Sequence, residues 1–152
     1  EEPISIFSFP KINSLSNVQV LDFLGTGTAC IVYSSGIENA PIQYIDLMES
    51  IKPNLLNVFE NNCGSELKIT YKTSTQYFLE DKLEGIDWIT KLPFPIHLIE
   101  KMEQYDHVQD TLFTNSYSYR HGYFDPIERE FRGFARVEQI DSEDFSSFSL
   151  NE

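Results

Sequence analysis

The stretch "YSYRHGYFDPIEREFRGFARVEQID" (117–141) gathers the side chains best equipped for chemistry. It holds all four arginines of the chain, Arg120, Arg129, Arg132 and Arg136, with His121, Asp125, Glu128, Glu130 and many aromatics. A hydrolase needs a nucleophile, a base and an acid that orients the base. His121, beside Arg120 and Asp125, is the candidate base, and His121, Asp125 and Glu128 would centre such a site. Serines and aspartates are plentiful, so chance pairs are expected, and no GxSxG occurs. A histidine on a turn or sheet surface is the simpler reading. His97 alternates within a strand pattern, and His107 sits at a turn signal. Glu128 and Glu130, two apart, can point the same way on a strand, as glycoside chemistry asks of paired carboxylates. With Arg129, Arg132 and Arg136 so near, ion pairing between neighbouring strands is the simpler account.

A second candidate lies in "LDFLGTGTACIV" (21–32). Its D-x-x-G-x-G-x-x-x-I-V pattern resembles the FG-GAP motif of β-propeller blades, whose acidic loop can hold calcium. A calcium loop needs oxygen ligands at alternating positions. Asp22 supplies one, but Thr26 and Cys30 stand at positions that are typically acidic or oxygen-bearing. The expectation is a turn kept by Gly25 and Gly27, without a metal. No GK[ST] occurs, so this is not a phosphate loop. Cys30 and Cys63 lack CxxC spacing and a histidine partner, which reads as two buried thiols.

The elements that must position these residues have a period of two. "LKITYK" (67–72), "LFTNSYSY" (112–119) and "FRGFARV" (131–137) alternate apolar and polar side chains and are rich in aromatic and β-branched types. Turn signals at 24–27, 60–66, 107–110 and 122–128 separate the strands. Strands of about 8–12 residues exceed the usual length of about 5–6, which suggests a large sheet with bends or bulges near Gly122 and Gly133. Ile42, Tyr44, Asp46 and Met48 alternate, which predicts a strand. "YFLEDKLEGIDWI" (77–89) predicts one or two helical turns ended at Gly85. "LPFP" (92–95) forces an extended entry to the next strand. The acidic tail from Asp141 has little pattern and is expected to fray.

Composition narrows the function classes. The chain has 152 residues, 41% hydrophobic, with a formal net charge of −13. That acidity argues against broad binding to nucleic acid or an anionic membrane, which needs clustered Lys and Arg. No apolar run approaches a membrane span, and the abrupt opening "EEPISIFSFP" reads as a cut from a longer polypeptide.

Five strings appear in order: "LDFLGTGTACIVYSS", "IQYIDLMESIKPNLL", "NNCGSELKITYKTSTQYFLEDK", "WITKLPFPIHLIEKMEQYDHV" and "YSYRHGYFDPIEREFRGFARVEQID". Together they resemble the middle region of the B component of bacterial insecticidal Tc toxin complexes, the SpvB/TcaC/TcdB family, over residues 12 to 145. "HGYFDPIEREFRGFARVEQ" is the most specific. The resemblance implies a chain in which a β-propeller docks on the pore-forming A component. It implies that the chain then builds a hollow RHS-type shell of long antiparallel strands, closed by the C component around a toxic payload. No catalytic residue carries over: self-cleavage belongs to the C component, and ADP-ribosylation to a separate domain of SpvB-type proteins. Ala135 stands where the family often has glycine, and Ile140 where it often has tryptophan, so fine contacts do not transfer.

The expectation is therefore mainly β: a propeller-blade-like segment over 1–40, shell-type antiparallel strands over 41–145 and a polar tail over 146–152. The 117–141 stretch would be two shell strands and their turn, with aromatics packed on neighbouring sheet. The expected role is structural and non-catalytic, without cofactor, metal, nucleic-acid or membrane contact. The expected setting is a secreted complex, assembled in the cytoplasm, with the A and C components as partners of the parent protein. The alternative is an autonomous β-sandwich or propeller-derived binding module of a secreted or surface protein.

Overall fold

The period-two segments form eight strands and one helix among residues 10–145, the part of the chain that this computed structural model describes. They divide into two compact units, one ending at Lys52 and the other beginning at Pro53.

The first unit is an antiparallel sheet of β1 (Ser16–Leu21), β2 (Cys30–Ser35) and β3 (Gln43–Asp46), in that order. β1 and β2 run in register from Ser16↔Ser35 to Leu21↔Cys30, and β3 joins on the other side of β2 from Cys30↔Asp46 to Tyr33↔Gln43. A division at residue 40 would separate β3 from the strand it bonds to, so the unit extends to Lys52. Cys30, Val32 and Tyr33 on β2 are its buried hydrophobic residues, as expected for the central strand.

The second unit is a five-stranded antiparallel meander, β4 (Val58–Glu60), β5 (Ser65–Thr73), β6 (His97–Asp106), β7 (Thr111–Asp125) and β8 (Glu130–Phe145), interrupted by helix α1 (Ser74–Leu83). β7 and β8 have 15 and 16 residues, far above the common strand length. β8 runs on to Phe145, paired with Thr111, so residues 141–145 belong to a strand where a patternless tail was expected. Backbone pairing with β7 overrides their weak pattern. The expected polar tail at 146–152 lies outside the described residues.

α1 begins earlier than expected. Thr73 caps it: its hydroxyl accepts from the Gln76 N–H, while the Gln76 side chain accepts from the Thr73 N–H. This reciprocal capping box satisfies donors that a helix start leaves bare. Gly85, at φ 79, ends the helix as expected. The Gly85 N–H donates to Lys82 O at 3.2 Å and the Ile86 N–H to Asp81 O at 2.7 Å, the paired bonds of a Schellman stop.

α1 sits where β6 and β7 part. The last β6–β7 pair is Lys101↔Ser116, while β6 continues beside β5 and β7 beside β8. At that point Glu100 is the extra residue of a bulge: Thr70 pairs with Lys101 and Tyr71 with Ile99. A bulge bends its strand, and this one falls where the β6–β7 pairing ends. The helix and the segment 84–96 occupy the fork, held on the β6 side by the Ser74 N–H to Ile96 O (2.9 Å) and the Ile96 N–H to Ser74 Oγ (3.0 Å).

Candidate functional site

The side chains that bind α1 to β7 form a polar and aromatic cluster in the second unit. Tyr117 is the first β7 residue past the last β6 pair, and its carbonyl accepts from the Tyr77 hydroxyl at 2.9 Å. Burial, and then the charge of Glu100, push the Tyr77 phenol well above its ordinary range, so it stays a donor. One turn along the helix, Asp81 is 7% exposed. It accepts from Trp88 Nε1 at 2.6 Å and from Arg120 Nε and Nη2, both at 3.0 Å at their shortest. Burial opposes the Asp81 charge, but the Arg120 and Trp88 hydrogen bonds outweigh it and hold the carboxyl below the usual carboxylate range. Arg120 also reaches Glu138 of β8 at 3.7 Å, so one guanidinium ties helix, β7 and β8 together.

Aromatic rings surround this lock. Trp88 stands edge-on to Phe78 (centroids 5.6 Å apart) and to Phe134 (6.4 Å), and Phe134 also meets Tyr119 (5.3 Å) and Phe131 (5.5 Å). Edge-to-face pairs of this kind add about 0.5–1.5 kcal/mol each beyond burial. The aromatics were expected to pack on neighbouring sheet; Tyr119 and Phe134 do meet across β7 and β8, and the helix and the segment after it supply further partners in Tyr77, Trp88 and Phe94. Simple alternation also put Phe131 and Phe134 on opposite faces. A register shift at Tyr123/Phe124, where Gly133 has φ 96, inserts one residue in β8 and brings the two rings together. Gly122 has a different role from the expected bend. A Cβ there would lie 2.5 Å from Leu92 Cδ1 and 2.8 Å from Phe134 Cε1, so glycine lets the segment after α1 lie against β7.

The hydrolase constellation does not assemble. His121 Nδ1 accepts from the Ile89 N–H at 3.1 Å. Asp125 accepts from the Ile127 and Glu128 N–H groups as the cap of the β7–β8 turn. Among the described residues no hydrogen bond or ion pair joins His121 to Asp125 or Glu128. Glu130 pairs with Arg132 at 3.1 Å and Arg136 with Glu138 at 2.6 Å, along β8; Arg120–Glu138 and Arg132–Asp125 (4.0 Å) cross between strands. Arg129 takes a left-handed turn conformation, φ 55. His107 lies 3.3 Å from Glu66 across the hairpin end, and His97 opens β6.

In the first unit both Asp22 oxygens are engaged by the turn, accepting from the Thr26 N–H (3.0 Å) and the Gly27 N–H (2.8 Å). Gly25 and Gly27 have φ 69 and 73, the conformations that the motif asks of them. Thr26 and Thr28 are buried with their hydroxyls 2.8 Å apart. Among the described residues no group of His, Cys, Asp and Glu is arranged to hold a metal ion. Cys30 is buried as expected, but Cys63 is exposed: it sits on the β4–β5 turn, where its N–H donates to Asn61 Oδ1. Sequence reasoning missed Asp81 and Trp88. Their signal was the seven-residue spacing across a helix stop, meaningful only once the Gly85 turn is seen to fold Trp88 back.

No curated protein matches the chain. Solved structures do. A chain in "Structure of Photorhabdus luminescens Tc holotoxin pore, Mutation TccC3-D651A" is 32% identical with a TM-score of 0.77, over 91% of this chain and 7% of that one. A chain in "Crystal Structure of TcdB2-TccC3" is 29% identical with a TM-score of 0.79, over 95% and 7%. "Crystal Structure of TcdB2-TccC3-Cdc42" gives 31% identity and a TM-score of 0.76, over 91% and 7%. The chain thus spans about 7% of the length of the chains it resembles, and its mainly antiparallel β fold is theirs. The profile of the family described as "Insecticide toxin TcdB middle/N-terminal region" matches residues 8–149, and this chain belongs to that family.

Proposed function

We propose that the second unit is a structural panel in the wall of a Tc-type toxin B component, enclosing a toxic payload supplied by a C component. The first unit, β1 to β3, is on this reading the end of a β-propeller that faces the pore-forming A component. The panel is non-catalytic: its charged residues close onto one another and onto turn backbones instead of converging on a substrate cleft. Its setting is a secreted toxin complex, assembled before release. The observation that carries the reading is the β7–β8 hairpin, registered from Thr111↔Phe145 to Asp125↔Glu130, in a sheet whose relatives are chains of TcdB2–TccC3 structures. A hairpin this long is more than a small module needs to close a core, and suits a wall.

The test is made in the parent B component, co-expressed with its C component. Residues 117–138 are replaced by a short turn, and protease resistance of the payload is measured. Loss of resistance with retained binding to the A component is expected. Undiminished protection would refute the panel role.

A further inference from the structure

His121 breaks the regularity of β7. Its φ is 58, a left-handed value that non-glycine residues seldom adopt, while Arg120 and Gly122 on either side stay in register with Arg136 and Phe134. The conformation gives the imidazole a partner outside the strand: Nδ1 accepts from the Ile89 N–H at 3.1 Å, and the ring centroid lies 6.1 Å from that of Trp88. A backbone amide always carries its proton, so Nδ1 must be bare and Nε2 must hold the proton of a neutral ring. A protonated imidazole has no acceptor and would set two N–H groups against each other.

The bond matters because of where it falls. Ile86 and Trp88 are tied to Asp81, and Ile96 to Ser74. Between Trp88 and Ile96, among the described residues, the His121 bond is the one hydrogen bond that holds the segment. The charged groups that face the ring come from three elements. Asp81 of α1 is near enough for a charged His121 to favour its anion. Arg120 adjoins it on β7, and Arg132 of β8 shares with it an open cleft of about 370 Å³, also lined by Ile89, Tyr123 and Phe134. A charge on His121 would lose its bond to Ile89 and share that cleft with the Arg132 cation, while the Asp81 anion would attract it.

We propose that His121 is a proton-sensitive clasp: neutral, it holds segment 89–95 against β7; protonated, it releases the segment and opens the cleft shared with Arg132. It rests on this geometry and not on the shell reading.

The test is amide hydrogen exchange on the intact protein at about pH 7.5 and about pH 5, on either side of the ordinary imidazole range, each rate taken relative to an unstructured peptide. It compares the natural sequence with His121→Asn. Asparagine tolerates the left-handed conformation, and its Oδ1 accepts a hydrogen bond without titrating. In the natural protein, protection of the Ile89 amide should fall roughly fivefold on acidification, the scale of one lost hydrogen bond. α1 and β8 should stay protected, and the Asn variant should not respond. An equal fall in both proteins, or none in the natural one, overturns the clasp. Nitrogen NMR gives an independent check: a neutral His121 that carries its proton on Nδ1 would overturn it whatever the variant does.

Discussion

Burial alone would push the Asp81 carboxyl towards protonation, yet Arg120 and Trp88 hold it in the opposite direction. Removing one partner from a buried, hydrogen-bonded charge leaves the others unsatisfied, which costs more than the bond was worth. Asp81→Asn should therefore destabilise the second unit by about 1–3 kcal/mol, read as a lower midpoint of urea unfolding. Trp88, the only tryptophan of the chain, touches Asp81 directly and is the natural fluorescent reporter. The pH dependence follows from the sign of the shift. A carboxyl whose folded value lies below the ordinary 3.8 contributes stability that is complete above that value and is lost as pH falls through the folded one. The natural protein should lose stability below about pH 4 more steeply than Asp81→Asn, and parallel acid titrations of the two would show it. An identical slope would mean that Arg120 gains nothing from the charge. None of this was legible from residue types. Sequence reading singled out Arg120 and His121 but set them beside Asp125, five and four residues on, because it saw neighbours along the chain. The partners that matter lie 39 and 32 residues back.

A strand pair that parts leaves backbone groups and side chains bare, and α1 with its trailing segment covers them. Two close approaches make this possible, and each can be tested. Gly122→Ala would drive a Cβ into Leu92 and Phe134. Overpacking of this kind costs about 1–3 kcal/mol, less if the leucine end swings aside. Since the crowding atoms are mostly those of Leu92, the double variant Gly122→Ala/Leu92→Ala should lose less stability than the two single losses together. A double-mutant cycle in urea measures this, and strict additivity would mean that the crowding is relieved elsewhere. At the start of the helix, Thr73→Ala removes the cap and should cost about 1 kcal/mol, visible in the same unfolding assay. The sequence showed the long strands, their turns and the Gly85 stop, because alternation and turn residues are local signals. It also contained the capping box, Thr73 with Gln76 three residues on, which placed the helix start correctly and was passed over. Bulges at Glu100 and near Gly133 were beyond it in detail: a glycine marks where a bulge is allowed, but the partner strand decides which residue is left over.

On the scale of the molecule, the family was legible because several long strings recur in order, whereas the limits of the two units were not. β3 looks like any alternating segment until its bonds to β2 are seen. The edges decide how such a sheet behaves. Among the described residues β8 pairs with β7 alone, so over 16 residues its outer side offers N–H and C=O groups to any extended chain. Val137 is 53% exposed and Ile140 70% exposed, so both faces of this edge strand add apolar surface to the open backbone. Long, unpaired, partly apolar edges promote association, and a net charge of −13 opposes it only over long range and at low salt. The chain alone should therefore self-associate at physiological salt, as size-exclusion chromatography with light scattering would record. Two changes should return it towards a monomer. One is restoring the flanking sequence of the parent protein. The other is Val137→Lys with Ile140→Lys, which puts charge on the edge and leaves the contacts around Trp88 untouched. A cooperatively folding monomer from the unmodified chain would point instead to an autonomous binding module. Association that persists with both lysines, or with the flanking sequence restored, would locate the sticky surface away from β8 and remove the edge from the argument for a wall.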